Sequence, residues 1–215
     1  MKREKVSTVG VLVIALLFPL MVLSQSHVHQ FHSLSSPEKR WVLFHPFAAK
    51  KAWRCTQLAR VATDSLEKNN VLKDGNGGQL DAFRHAYWMA LLVQEISPRK
   101  AKKLGVAHEK GNYRDWKKGK LEEDARADSM ACVMDLQNNI SGISIGEKFR
   151  SDTASTKATL LESVLAAAKN GQLVIVKKDK AGRALTCDGQ VIDPKAYEKI
   201  WSVPKCLVPS DTATQ

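Results

Sequence analysis

The chain has 215 residues, a formal net charge of +11 from 33 Lys and Arg against 22 Asp and Glu, and few aromatic residues. That length supports one sizeable core, and the basic balance suits an anionic surface or substrate: phospholipid headgroups, nucleic acid or a cell-envelope polymer. The chain carries no specific nucleic-acid motif and no stacking platform for single strands.

Residues 1–24 have the three parts of a secretory signal. Lys2, Arg3 and Lys5 come first, an apolar run spans Val6 to Leu23, and Val22-Leu23-Ser24 precedes Gln25 as a small-residue cleavage pattern. Cleavage predicts a periplasmic or secreted domain with no transmembrane span left after processing; without cleavage the run would anchor the chain. Residues 25–45 read as a flexible mature N-terminus, where His27, His29 and His32 can bind a transition metal loosely.

One α-rich domain is expected over 46–206, with a polar tail from 207 to 215. Apolar residues recur at a helical period from Pro46 to just before Asn69-Asn70, and Asp74-Gly75-Asn76-Gly77-Gly78 then signals a turn. A second helix over Gln79–Ile96 is apolar nearly all round, which makes it central. A third starts at Pro98 and runs to His108 or just beyond, ended by Gly111-Asn112, and residues 111–120 read as a basic loop. A fourth, Leu121 to about Asn138, begins with three acids that suit a helix N-terminus and is ended by Asn138-Asn139 and Gly142. Thr156–Lys169 makes a fifth, stopped at Asn170-Gly171. Leu173–Lys177 reads as a strand with Arg183–Cys187 as its hairpin partner, and a short helix lies near Pro194–Trp201. The fold class is therefore mainly α: about five helices around a core, with a small C-terminal β-hairpin.

Four cysteines in an exported chain suggest disulfides. The simplest pairing joins Cys187 to Cys206 and Cys55 to Cys132, and no spacing matches a zinc ribbon.

The polar residues of the central helices are the candidates for chemistry. Asp81, His85, Trp88 and Leu92 share one face, so a carboxylate stands one turn before a histidine, where it can fix the imidazole tautomer. Arg84 sits beside them. The third helix ends in His108-Glu109, and the fourth places Asp128, Cys132, Asp135 and Asn139 along one stripe. Burying such groups unpaired is costly, so they are expected to converge. His85, His108 and Asp135 would suit one divalent metal ion, with Glu109 as general base. Equally, Asp81, Arg84 and His85 can satisfy one another in a purely structural network.

Three segments also carry a resemblance: Gln79 to Leu92 (QLDAFRHAYWMALL), Ala107-His108-Glu109, and Met134 to Asn139 followed by Gly142. Together they resemble an uncharacterised bacterial domain family with the pattern DAFRHAYWxALL, AHE and MDLxNNxxG. That family occurs in secreted proteins and at the C-termini of some polymorphic-toxin-like proteins. The similarity covers roughly residues 74–178. It implies a polar site of Asp81, Arg84, His85, His108, Glu109, Asp135 and Asn139. A more distant similarity links the His85 helix to secreted phospholipases A2, but Ala86 stands where their calcium-binding Asp follows the histidine.

These observations lead to one expectation and one rival. The expectation is a small exported hydrolase acting on an anionic substrate. His85, oriented by Asp81, would be general base or ligand; His108, Glu109 and Asp135 would complete the site; Arg84 or Asn139 would stabilise an oxyanion or phosphate. The rival is a non-catalytic envelope or interaction module. An open cleft reaching His85 would favour chemistry, and a sealed, fully hydrogen-bonded cluster would favour structure.

Overall fold

The computed structural model describes residues 30–72, 74–120, 127–151 and 156–212. The expected signal (1–24), the start of the mature chain, His27, His29 and the acids at 122–124 lie outside these residues. No helix among the described residues is long and apolar enough to cross a membrane.

Among the described residues, 30–33 are helical, and six further α-helices and a small sheet follow: α1 Ser36–Phe44, α2 Pro46–Lys68, α3 Gln79–Glu95, α4 Pro98–Lys117, α5 Ser129–Arg150, α6 Lys157–Lys169, β1 Val174–Val176 and β2 Leu207–Pro209, with a 3-10 turn at Pro194–Tyr197. Helix α3 lies at the centre and packs against α2, α4, α5 and α6. Its sequence leaves it no solvent face, and twelve of its seventeen residues are buried.

Small residues set the closest contact. Gly142 of α5 meets the backbone of Ala86, and a Cβ there would lie 2.1 Å from the Ala86 carbonyl oxygen. One turn on, a Cβ on Gly146 would lie 2.9 Å from the carbonyl oxygen of Ala90. The α3 and α5 backbones therefore touch at two successive turns, a distance that only glycine against alanine permits.

This explains the first departure from the sequence expectation. Helix α5 does not stop at Asn138-Asn139 and Gly142 but runs through them to Arg150. Asn138 does not compete with its own helix, because its amide is spent on β1: Nδ2 donates to the Val174 carbonyl and Oδ1 accepts from the Val174 N–H, both at 2.9 Å. Gly142 is required by the crossing rather than by an end. Asp128 lies off the expected stripe: it caps α5, accepting from the N–H groups of Met130 and Ala131, and it pairs with Lys205.

Helix α4 likewise passes Gly111-Asn112, so most of the expected basic loop is helical. Gly111 lets the α1 N-terminus approach, since a Cβ there would sit 2.4 Å from the Ser35 hydroxyl. Residues 36–44, placed by the sequence in a flexible arm, form α1. Ser35 precedes it, Pro37 occupies the first turn, and Glu38 reaches back to the Ser35 N–H and hydroxyl at 2.9 and 2.6 Å. Trp41 then buries its indole and donates to the Lys100 carbonyl at 3.2 Å.

At the C-terminus the partner of β1 is β2, from the expected tail, pairing Ile175 with Val208 antiparallel. Residues 183–187 contribute isolated bridges, Lys178 to Ala184 and Leu185 to Val191. Cys187 and Cys206 are bonded. Cys55 and Cys132 are not bonded to each other; both remain buried thiols, on α2 and α5, with α3 packed against both helices. Burial pushes the Cys55 thiol up to about 12, which leaves it inert at neutral pH.

Gly142→Ala tests the crossing. Alanine gains up to about 1 kcal/mol of helix propensity, but overpacking against a backbone carbonyl costs about 3 kcal/mol or more. The thermal midpoint should fall by many degrees or the domain should not fold. Gly75→Ala, where nothing lies within 4 Å, should change stability by no more than about 0.5 kcal/mol. An unchanged midpoint for Gly142→Ala would contradict the close contact.

Candidate functional site

The α3–α5 crossing brings one stripe of each helix together. Asp135 and Asn139 lie one turn apart on α5 and face the turn of α3 that carries Asp81 and His85. His85 Nε2 lies 3.5 Å from Asp81 Oδ1 and 3.5 Å from Asp135 Oδ1. Single donor atoms of Asp81, His85 and Asp135 all lie within 4.8 Å of one another. All three residues are buried, His85 to 3% exposure.

Local structure fixes Asp81. It sits in the first turn of α3, where a carboxylate suits the helix dipole. Its Oδ2 accepts from the Gly77 N–H at 2.9 Å, and its Oδ1 accepts from Arg84 Nη2 at 2.6 Å. The loop before it is held in turn. Gly77 takes a positive φ of 70° and accepts from the Val176 N–H at 2.8 Å, and Lys178 Nζ reaches Asp74 and the Asn76 carbonyl, each at 2.7 Å. The C-terminal appendage therefore pins the loop that orients the site.

Electrostatics set the charge of the imidazole. Burial, reinforced by the Arg84 guanidinium, pushes His85 down to about 3 against the pull of Asp81, so it is neutral at physiological pH. Burial pushes the Asp81 carboxyl up, but His85, Arg84 and the Gly77 N–H outweigh it and hold Asp81 below the usual carboxylate range. The Asn139 amide stands beside the imidazole. The Asn139 side chain favours the protonated ring, but neither of its amide atoms, nor His85 Nδ1, nor Trp88 Nε1, makes a well-aligned hydrogen bond among the described residues, although all are buried.

His108 comes near but not into this group. Its ring centroid is 6.1 Å from that of His85 and 5.6 Å from that of Trp88. Its Nδ1 lies 3.0 Å from Glu38 Oε1. Burial pushes Glu38 up, and the hydrogen bond and charge of His108, with the bonds from Ser35, bring it below its usual value. Glu109 accepts from Asn112 Nδ2 at 3.2 Å. Of the expected metal set, His85 and Asp135 converge, together with Asp81, and the His108 ring stands beside them. His108 has Glu38 as a partner, a residue outside the expected site. The only signal for Glu38 was the Ser35-x-x-Glu38 capping pattern, which explains its backbone bonds and not its reach to α4.

Both histidines open onto one cleft of about 360 Å³. Trp41, Trp53 and Trp88 provide apolar walls, and Arg60 and Arg84 line it with Glu38, His85 and His108. A cleft of this size, with a few polar groups converging from an apolar lining, is the common form of a small-molecule or headgroup site.

The buried neutral histidine fixes a pH dependence. An unfolded histidine takes up a proton near pH 6.5, whereas folded His85 stays neutral until about 3. Between these values the unfolded chain binds the extra proton, so stability falls as pH falls, at up to about 1.4 kcal/mol per pH unit. Asp81 and Glu38, both lowered, lose their contributions further down, as pH drops through their folded values. Urea midpoints between pH 7 and 5, above the carboxylate range, should drop more steeply for the parent than for His85→Gln. Equal slopes would mean that His85 is charged in the folded protein.

A family model described as a domain of unknown function (DUF6973) matches residues 39–172, a span that holds every site residue named above except Glu38. No curated protein matches the chain, and no solved structure does.

Proposed function

The chain belongs to the DUF6973 family, a domain of unknown function, and we propose that it is an exported hydrolase acting on an anionic substrate. The observation that carries this is the single cleft onto which His85 and the Glu38–His108 pair both open, with Arg60 and Arg84 in its lining.

The dyad supplies the proton transfer. With Glu38 on Nδ1, His108 is oriented as in other carboxylate–histidine pairs, and Nε2 is the nitrogen that would exchange a proton with a reactant. His108 takes a proton from water as the water oxygen bonds to the electrophilic carbon or phosphorus. The bond to the leaving group then breaks, and His108 returns the proton to the departing oxygen. Arg84 and Arg60 attract the anionic group and offset charge that develops on it. The tryptophan walls favour a substrate with an apolar part.

Export is proposed from the signal-like residues 1–24, and the toxin-associated resemblance fits an enzyme that works outside its producing cell. The rival, a non-catalytic envelope module, draws on the Asp81–Arg84–Gly77 anchorage. Against it stand the four buried polar atoms around His85 that make no well-aligned hydrogen bond among the described residues, because a structural network is selected to be internally satisfied.

Hydrolysis of anionic phospholipid vesicles, of nucleic acid and of an acidic envelope polymer, assayed in parallel, tests the proposal. One class should be turned over. On it, His108→Ala and Glu38→Gln should lower kcat by about 10²–10⁴-fold with little loss of stability. No turnover of any class, or full activity in His108→Ala, would overturn the reading.

A further inference from the structure

We infer that Asp81, His85 and Asp135 form a binding site for one divalent cation of the zinc or manganese type, with Asn139 at its edge. This deepens the hydrolase reading by naming a cofactor, and it rests on geometry that is independent of any turnover.

The first argument is the spacing of the donor atoms. A direct hydrogen bond from an imidazole to a carboxylate closes to about 2.7–3.0 Å. His85 Nε2 instead stands at 3.5 Å from two carboxylate oxygens at once. Tetrahedral ligands at metal distances of about 2.0–2.1 Å are separated by about 3.3–3.4 Å. The observed separations are thus long for hydrogen bonds and close to the edges of a metal polyhedron. A small side-chain rotation closes the third edge, since all three donors lie within 4.8 Å.

The second argument is the state of the surrounding groups. Asn139 is 4% exposed, stands against His85, where it favours the protonated ring, and makes no well-aligned hydrogen bond with either amide atom among the described residues. Such a side chain is costly unless a ligand or bound water completes it. Asp81 is meanwhile oriented by an outer shell, Gly77 N–H on one oxygen and Arg84 on the other, as metal-binding carboxylates usually are. An oxygen that accepts one hydrogen bond keeps a lone pair for a cation.

The third argument is the chemistry of the donor set. One imidazole and two carboxylates are a borderline nitrogen–oxygen set that suits zinc or manganese, whereas calcium takes six to eight oxygens. Three protein ligands leave a position for water or substrate, and His85 lines the cleft that would supply either. The buried thiols of Cys55 and Cys132 lie outside the donor group.

The test is equilibrium metal binding to the full chain, with His27, His29 and His32 replaced by Gln so that the N-terminal histidines do not contribute. After chelation and dialysis, zinc should bind by calorimetry with a stoichiometry of one and raise the thermal midpoint as its concentration rises. His85→Gln and Asp135→Asn should each weaken binding by more than the roughly 10–100-fold that outer-sphere changes cost. His108→Gln should keep zinc affinity within a few-fold while it loses any hydrolysis, which separates this inference from the proposed activity. Should the ligand variants not fold, cobalt absorption of the parent decides: a nitrogen–oxygen spectrum without a thiolate charge-transfer band supports the site. A thiolate band, no uptake of zinc, manganese or cobalt, or zinc affinity unchanged in folded His85→Gln and Asp135→Asn would overturn it.

Discussion

The direct contact of the α3 and α5 backbones, Gly142 on Ala86 and Gly146 on Ala90, places the polar groups of this protein. Where two helices normally stand 8–10 Å apart on interleaved side chains, here glycine removes the spacer. The same α5 stripe that supplies Gly142 and Gly146 carries Asn139 and Asp135 one and two turns earlier. The approach that buries the glycines therefore drives an amide and a carboxylate into the face of α3 that holds Asp81 and His85. Desolvation then follows from packing, and desolvation is what keeps His85 neutral between two acids. A wider crossing would admit water and return each group to ordinary surface behaviour.

Around that contact the remaining elements act as supports. The appendage closed by Cys187–Cys206 holds the Asp74–Gly78 loop through Val176 and Lys178, and it clamps α5 through Asn138 and Lys205. Helix α1 does the same for the other wall of the cleft. Its first turn docks on Gly111, and the glutamate that caps it continues to His108. Glu38 thus joins two tasks, capping the start of a helix and orienting a histidine, and this ties the cleft to the correct seating of α1.

Much of this was legible in the sequence. The near-uniform apolarity of Gln79–Glu95 marks the central helix, and the charged residues inside it mark the site, because buried charge is rare without partners. Periodicity sets the type of each long element. The misplaced boundaries share one cause. Gly111-Asn112, Asn138-Asn139 and Gly142 carry the local chemistry of helix ends, yet each is used for a tertiary contact: with Ser35, with Val174 and with Ala86. Local propensity cannot distinguish a glycine that ends a helix from one that admits a neighbouring backbone. The convergence of Asp81 with His85 and Asp135, with the His108 ring beside them, has a similar origin. The i, i+4 relation of Asp81 to His85 was visible, but which neighbouring helix faces it depends on crossing angles that no spacing encodes. Glu38 stood furthest from view, since its partner is 70 residues away.

The central claim is that the helix crossing holds an uncharged imidazole between two carboxylates, ready to act as ligand or base, rather than an imidazolium locked in a structural ion-pair network. Long-range proton–nitrogen NMR of the histidine rings reads this directly in the chelator-treated protein. At pH 6 the account predicts that His85 gives the paired, widely split nitrogen shifts of a neutral tautomer while exposed histidines titrate. Two near-equal nitrogen shifts for His85, the signature of an imidazolium, would contradict it.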